Sequence, residues 1–96
     1  MSLGPTIAAL SDPNRQKILD LLKEREMSVT EIAAHFQVTM PTLSHHLDVL
    51  KKTGLVSGRR SGQQIMYSLN LSVVEEMVGR FVSFFALKKT KKSARR

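Results

Sequence analysis

The sequence predicts a mainly α-helical fold with one small β-hairpin, in the order α-α-α-α-β-β-α. Three observations carry that prediction. Ser28 to Thr53 reads as two helices joined by a very short turn. Two alternating segments follow, separated by Ser61-Gly62. After them, Val74, Met77, Val78, Phe81, Val82, Phe84 and Phe85 recur at helical spacing.

The first element is the short apolar run Ile7, Ala8, Ala9, Leu10, a helix of limited length. Asp12 then serves as N-cap, with Pro13 at the first position of a second helix running through NRQKILDLLKERE. Ile18, Leu19, Leu21 and Leu22 give that helix a wide apolar face, while Arg15, Lys17, Asp20, Lys23 and Glu24 read as solvated surface.

Ser28 and Glu31 form a capping box that starts a third helix near Val29, with Ile32, Ala33 and Phe36 as its stripe. Thr39 caps the fourth helix, and Pro41 falls in its first turn, where a missing N–H costs little. Leu43, Leu47 and Leu50 recur at i, i+4 and i+7 and mark the buried face. At about 100° per residue, Pro41, His45, Asp48 and Lys52 lie opposite, flanked by Thr42 and Ser44. A leucine keel under short polar side chains suits insertion into a DNA major groove. The pair of helices is a helix-turn-helix.

Gly54 ends the fourth helix. Positions 55–60 and 63–69 are the strands of a hairpin turning at Ser61-Gly62, with Ile65, Tyr67 and Leu69 on one buried face. A basic, polar tip directly after such a helix is a wing, suited to phosphate or minor-groove contact. Arg59 and Arg60 alternate along the strand and cannot point the same way. Ser72 and Glu75 form a second capping box that opens the last helix. The candidate DNA-contacting set is therefore Met40, Pro41, Thr42, Ser44, His45, Lys52, Arg59, Arg60, Gln63 and Gln64.

Composition narrows the function classes. With 96 residues the chain reads as one small domain with a modest core, for which partnering adds buried surface. It has 15 basic and 8 acidic residues, a net of +7, but six of the basic ones lie in the last nine positions. Without them nine basic side chains face eight acidic, so the high charge belongs to the tail. The expected division is a domain over 1–87 and a basic, disordered tail over 88–96. That tail could act as a solubility extension, an auxiliary phosphate contact or a targeting segment.

No apolar run exceeds four residues, which argues against a membrane span or a secretory leader. The chain has no cysteine, so thiolate sites and disulfides are excluded and a cytoplasmic location is expected. No Gly-rich phosphate loop, nucleophile elbow or thiol supports an enzyme, and no cofactor is implied.

The three histidines alone do not make a metal site, because no carboxylate or thiolate partners converge with them. His45 and His46 are adjacent in a helix and diverge by about 100°, so they do not converge on one ion. His45 on the outward face suits base or phosphate contact, His46 near the keel suits packing, and His35 reads as structural or surface. Lys51 and Lys52 fit backbone contact and a solvated helix end equally well. A rival reading is a winged-helix module for protein–protein contact. It would expose apolar residues on the fourth helix, where Val49 is the one apolar exception among Thr42, Ser44 and His45.

The segments LSDPNRQKILDLL, TEIAAHFQVTMPTLSHHLDVLKKTGLV and GQQIMYSL together resemble the ArsR/SmtB family of bacterial transcriptional repressors, over positions 6 to 85. The resemblance implies a winged helix-turn-helix and a homodimer joined through the first and last helices, on an inverted-repeat double-stranded DNA operator. Leu3, Ile7 and Leu10 of the first helix would then meet Val74, Met77, Val78, Phe81, Val82, Phe84 and Phe85 of the last. Many members release DNA on binding metal, through thiolates before the recognition helix or through Asp and His on the final helix. Here Ser28 and Thr30 stand where the thiolates would be, and Glu75 and Glu76 are the only carboxylates of the final helix. The resemblance is to the metal-independent, SdpR-like subgroup, some of whose members are controlled by a regulatory protein partner. The alternative within the family is a response to an unrecognised metal or small molecule.

Overall fold

The computed structural model describes the backbone of residues 4–94 and the side chains of residues 4–86. Eight elements follow in order. They are α1 (Gly4–Leu10), α2 (Pro13–Glu24), β1 (Met27–Ser28), α3 (Val29–Ala33), α4 (Met40–Thr53), β2 (Val56–Ser61), β3 (Gln64–Leu69) and α5 (Leu71–Ala94). The expected order of helices and hairpin is present, with one strand added.

Local chemistry accounts for most of the boundaries. The Asp12 carboxylate accepts from the Asn14 and Arg15 amides at 2.7 and 3.2 Å, capping α2 ahead of Pro13. Ser28 Oγ accepts from the Glu31 amide at 3.1 Å, and Glu31 Oε1 accepts from the Ser28 amide at 2.9 Å. This reciprocal box starts α3 as expected. Thr39 caps α4, and Gly54 ends it in the left-handed conformation, φ +83°.

The core joins all the layers. Ile18, Leu22, Ile32, Leu43, Leu47 and Leu50 are buried together with Leu55, Val56, Tyr67 and Met77. The i, i+4, i+7 leucines of α4 thus form its keel.

Four expectations need correction. First, α2 stops at Glu24, and Met27–Ser28 pair antiparallel with β3, making a three-stranded sheet of order β1-β3-β2. A two-residue strand leaves no periodicity to read in sequence. Second, Ser61 pairs with Gln64, so the turn is Gly62-Gln63 rather than Ser61-Gly62. Gly62 supplies the positive φ, +64°, that the first turn position of a tight hairpin requires.

Third, α5 begins at Leu71, which puts Ser72 inside the first turn rather than before it. Asn70 occupies the capping position. Its side chain instead donates to the Gly54 carbonyl at 2.6 Å and accepts from the Ser57 hydroxyl at 2.6 Å. Asn70 therefore ties the end of α4, the start of β2 and the start of α5 together. Fourth, α5 continues to Ala94, beyond the point where the expected disordered tail begins. An established helix propagates cheaply, because each added residue gains a backbone hydrogen bond. The side chains of 87–96 lie outside the described ones, as do Leu3 and the ends of the chain.

Candidate nucleic-acid interface

The site is built on α4. Its keel is fully buried, so its opposite side must face outward. Met40, Pro41, Thr42, Ser44, His45, Asp48 and Lys52 are all exposed. Pro41 and His45 lie furthest from the leucines, with Met40 and Ser44 on one flank and Thr42 on the other. Thr39 fixes the start of this face. Its hydroxyl accepts from the Thr42 amide at 3.3 Å and donates to Thr42 Oγ1 at 2.9 Å. Val49 does not belong to the exposed set, because it packs partly buried against the core.

His46 is the one polar residue of α4 that faces inward, 7% exposed. Its Nδ1 lies 3.2 Å from Arg15 Nη1, and its Nε2 lies 3.9 Å from Asp12 Oδ1. The Arg15 N–H can donate there only to an unprotonated Nδ1. Arg15 also donates through Nε to the Ala9 carbonyl at 2.8 Å, at the C-terminal end of α1. The guanidinium thus joins α1, α2 and α4. Of the α2 flank expected as solvated surface, Asp20, Lys23 and Glu24 are exposed, but Arg15 is tied inward. Lys17 is likewise engaged, donating to the His35 carbonyl at 2.6 Å and lying 4.8 Å from the centre of the Phe36 ring.

The hairpin separates its two arginines by register. Arg59 pairs with Met66, and Met66 pairs with Ser28, which places Arg59 on the face of the sheet toward Glu26. Its Nη2 is 2.6 Å from Glu26 Oε1. Arg60 pairs with Ile65 on the other face, which it shares with Tyr67 and Gly58. That face looks to α4, since Lys51 Nζ lies 6.0 Å from the centre of the Tyr67 ring. A Cβ on Gly58 would sit 3.0 Å from Ile65 and 3.4 Å from Tyr67, so only glycine lets the strand lie there undisturbed. Arg60, Gln63 and Gln64 are exposed.

Ile65 was expected on the buried face, yet it is exposed. Ile65 pairs with Arg60 one step from the Gly62-Gln63 turn, at the end of the hairpin remote from the buried Val56. Spacing in the sequence gives no sign of the roles of Glu26, Arg15 and Asn70. Each acts through a partner 16 to 33 positions away.

A second surface is apolar. Ile7, Val78, Val82, Phe84 and Phe85 are exposed, the last two 58% each. Phe84 and Phe85 stack edge to face with centroids 5.4 Å apart. Met77, expected at this surface, is instead 7% exposed in the chain's own core. Leu10, Val74 and Phe81 are half-buried around a groove of about 240 Å³ shared with Leu19, Leu55 and Leu69. Along α5, Val78 and Val82 lie four positions apart and Phe85 three further on, which puts them on one side of the helix.

The donor set for a thiolate metal site is not there. Ser28 Oγ is used as the cap of α3, and Thr30 contributes only a neutral hydroxyl. Among the described residues no three His, Asp or Glu side chains converge. Neither hydroxyl fits a soft metal ion.

Residues 12–58 match the family described as bacterial regulatory protein, arsR family. The chain is 46% identical over 76 residues to the transcriptional repressor SdpR of Bacillus subtilis, covering 79% of this chain and 84% of that one. Among solved structures, an ArsR-like transcriptional regulator from Rhodococcus superposes with a TM-score of 0.86 at 26% identity, over 96% of this chain and 87% of the other. A homodimeric winged helix-turn-helix DNA-binding domain from Mycobacterium bovis superposes with a TM-score of 0.71 at 32% identity, over 84% and 76%.

Proposed function

The chain belongs to the arsR family of bacterial regulatory proteins, and on that premise we propose that it represses transcription by binding an inverted-repeat operator as a homodimer. The observation that carries the proposal is the division of α4. Its leucines are fully buried, while Met40, Pro41, Thr42, Ser44, His45 and Lys52 are left outward with no role in the core. Arg60, Gln63 and Gln64 extend that surface onto the wing, where Arg60 supplies phosphate contact.

Ile7, Val78, Val82, Phe84 and Phe85 form the dimer interface, with Leu10, Val74 and Phe81 behind them. Two-fold pairing there would set two recognition helices about 34 Å apart, in successive major grooves. Similarity to a repressor and to a homodimeric DNA-binding domain supports both parts of the reading. We further propose that release does not use the thiolate or final-helix metal sites, because Ser28 and Thr30 do not supply their ligands.

The test is selection of duplexes from random DNA by the full chain, followed by sedimentation of the complex. A two-half-site consensus bound by two chains is expected. Unselective binding, or one chain per duplex, would overturn the proposal. Calorimetry with zinc, cadmium and arsenite should show no stoichiometric site coupled to operator release.

A further inference from the structure

Eight large hydrophobic side chains are exposed among the described residues, and five of them, Ile7, Val78, Val82, Phe84 and Phe85, belong to the proposed dimer surface. Met40 does not. It is 46% exposed at the first position of α4, beside Pro41 and the polar Thr42, Ser44 and His45 of the outward face. The cap at Thr39 holds it there, since the Thr42 amide bond to Thr39 Oγ1 fixes the direction of the first turn.

Its helical neighbour on that flank is Ser44, four positions on and one turn along the same face. Ser44 is exposed, and its hydroxyl makes no hydrogen bond among the described residues. An apolar thioether therefore stands beside an uncommitted hydroxyl, on the turns that a recognition helix presents to base edges.

In the major groove one base displays a matching pair of features. Thymine carries a C5-methyl group next to its O4 acceptor, whereas cytosine offers a donor and no methyl, and the purines offer no methyl at all. We propose that Met40 and Ser44 together read a thymine in each half-site, Met40 covering the methyl group and Ser44 donating to O4. This rests on the DNA-reading role of α4 given above and names the base that its first turns select.

Thymine and uracil differ only in the methyl group, which makes the test direct. The duplex selected by the full chain is resynthesised with each thymine replaced singly by deoxyuridine. Binding is measured for the native chain and for Met40→Ala, Met40→Leu and Ser44→Ala. At one position per half-site, uracil should weaken native binding about fourfold, the worth of one buried methyl-sized group. Met40→Ala should bind thymine and uracil duplexes alike, while Met40→Leu and Ser44→Ala should still distinguish them. Replacing that thymine by cytosine should cost the native chain more than uracil does, and Ser44→Ala should narrow this extra loss. Uracil sensitivity that survives in Met40→Ala, or is absent from the native chain, overturns the inference while leaving operator recognition intact. Failure to select any duplex overturns both.

Discussion

Arg59 reaches across the sheet to Glu26, its Nη2 2.6 Å from Oε1, while the next residue, Arg60, points to the opposite face. Adjacent residues of a strand must diverge, so one arginine ties the wing to the body and the other stays exposed, where we propose that it meets phosphate. As an exposed ion pair, Arg59–Glu26 should contribute less than about 1 kcal/mol to stability. Its effect should appear in DNA binding. Arg60→Ala should weaken operator and scrambled duplex together and make the salt slope shallower by about one unit. Glu26→Gln frees a second cation and should make the slope steeper, with little change in the midpoint of urea unfolding. Fluorescence anisotropy across a salt series measures both.

The helix should behave differently from the wing. Ser44→Ala and His45→Ala should each weaken the selected operator by about 1–3 kcal/mol where a base contact is lost, and leave random DNA nearly unchanged. Equal losses on both duplexes for His45→Ala, with an operator-only loss for Arg60→Ala, would reverse the roles of helix and wing.

His46 should matter to folding rather than to base reading. Its removal leaves Arg15 Nη1 without its partner on α4 and opens space beside the keel. His46→Ala should lower stability by about 1–3 kcal/mol in urea titrations. His46→Asn, whose side-chain oxygen can accept from Arg15, should recover part of that loss.

Acid should loosen the caps. The Ser28 amide, then Arg25, holds the Glu31 carboxyl below its ordinary range. For Asp12 burial acts to raise the value, but the Arg15 and Asn14 amides, with the Arg15 guanidinium, outweigh it and the net shift is downward. Both groups bind protons less readily when the chain is folded. Their contribution is therefore complete above the unfolded values and is lost as pH falls through the lower, folded ones. Thermal melts should show stability declining below about pH 4.5, where a free glutamate titrates. Glu31→Gln should flatten that decline.

The exposed face of α5 should control assembly. Val78→Glu or Phe84→Glu introduces charge into the proposed interface without touching the buried Met77. Sedimentation should show monomers at concentrations where the native chain is dimeric. Operator affinity should fall toward that of a single half-site. A dimer unaffected by either change would place the interface elsewhere.

Much of this architecture is local and could be read from the chain. Asp12 with Pro13, Ser28 with Glu31, Thr39 with Pro41, and Gly54 each mark a helix end through bonds spanning no more than a few residues. The leucines of α4 declare its buried side by their spacing, and the outward side follows by subtraction.

What spacing does not contain is the meeting of distant segments. The strand at Met27 exists because β3 offers it an edge, and Ile65 is exposed at the hairpin end remote from the buried Val56. Asn70 is diverted from capping α5 by the Gly54 carbonyl and the Ser57 hydroxyl. Arg15 is drawn from the solvated flank by His46 and the end of α1, and Met77 is taken from the outer face of α5 into the core. Local hydrogen bonding and periodicity determined where the elements lie. The tertiary structure alone decided which arginine is paired to the body of the domain, which is left exposed, and which polar side chains hold the frame, because partners remote in sequence compete for the same donors, acceptors and buried space.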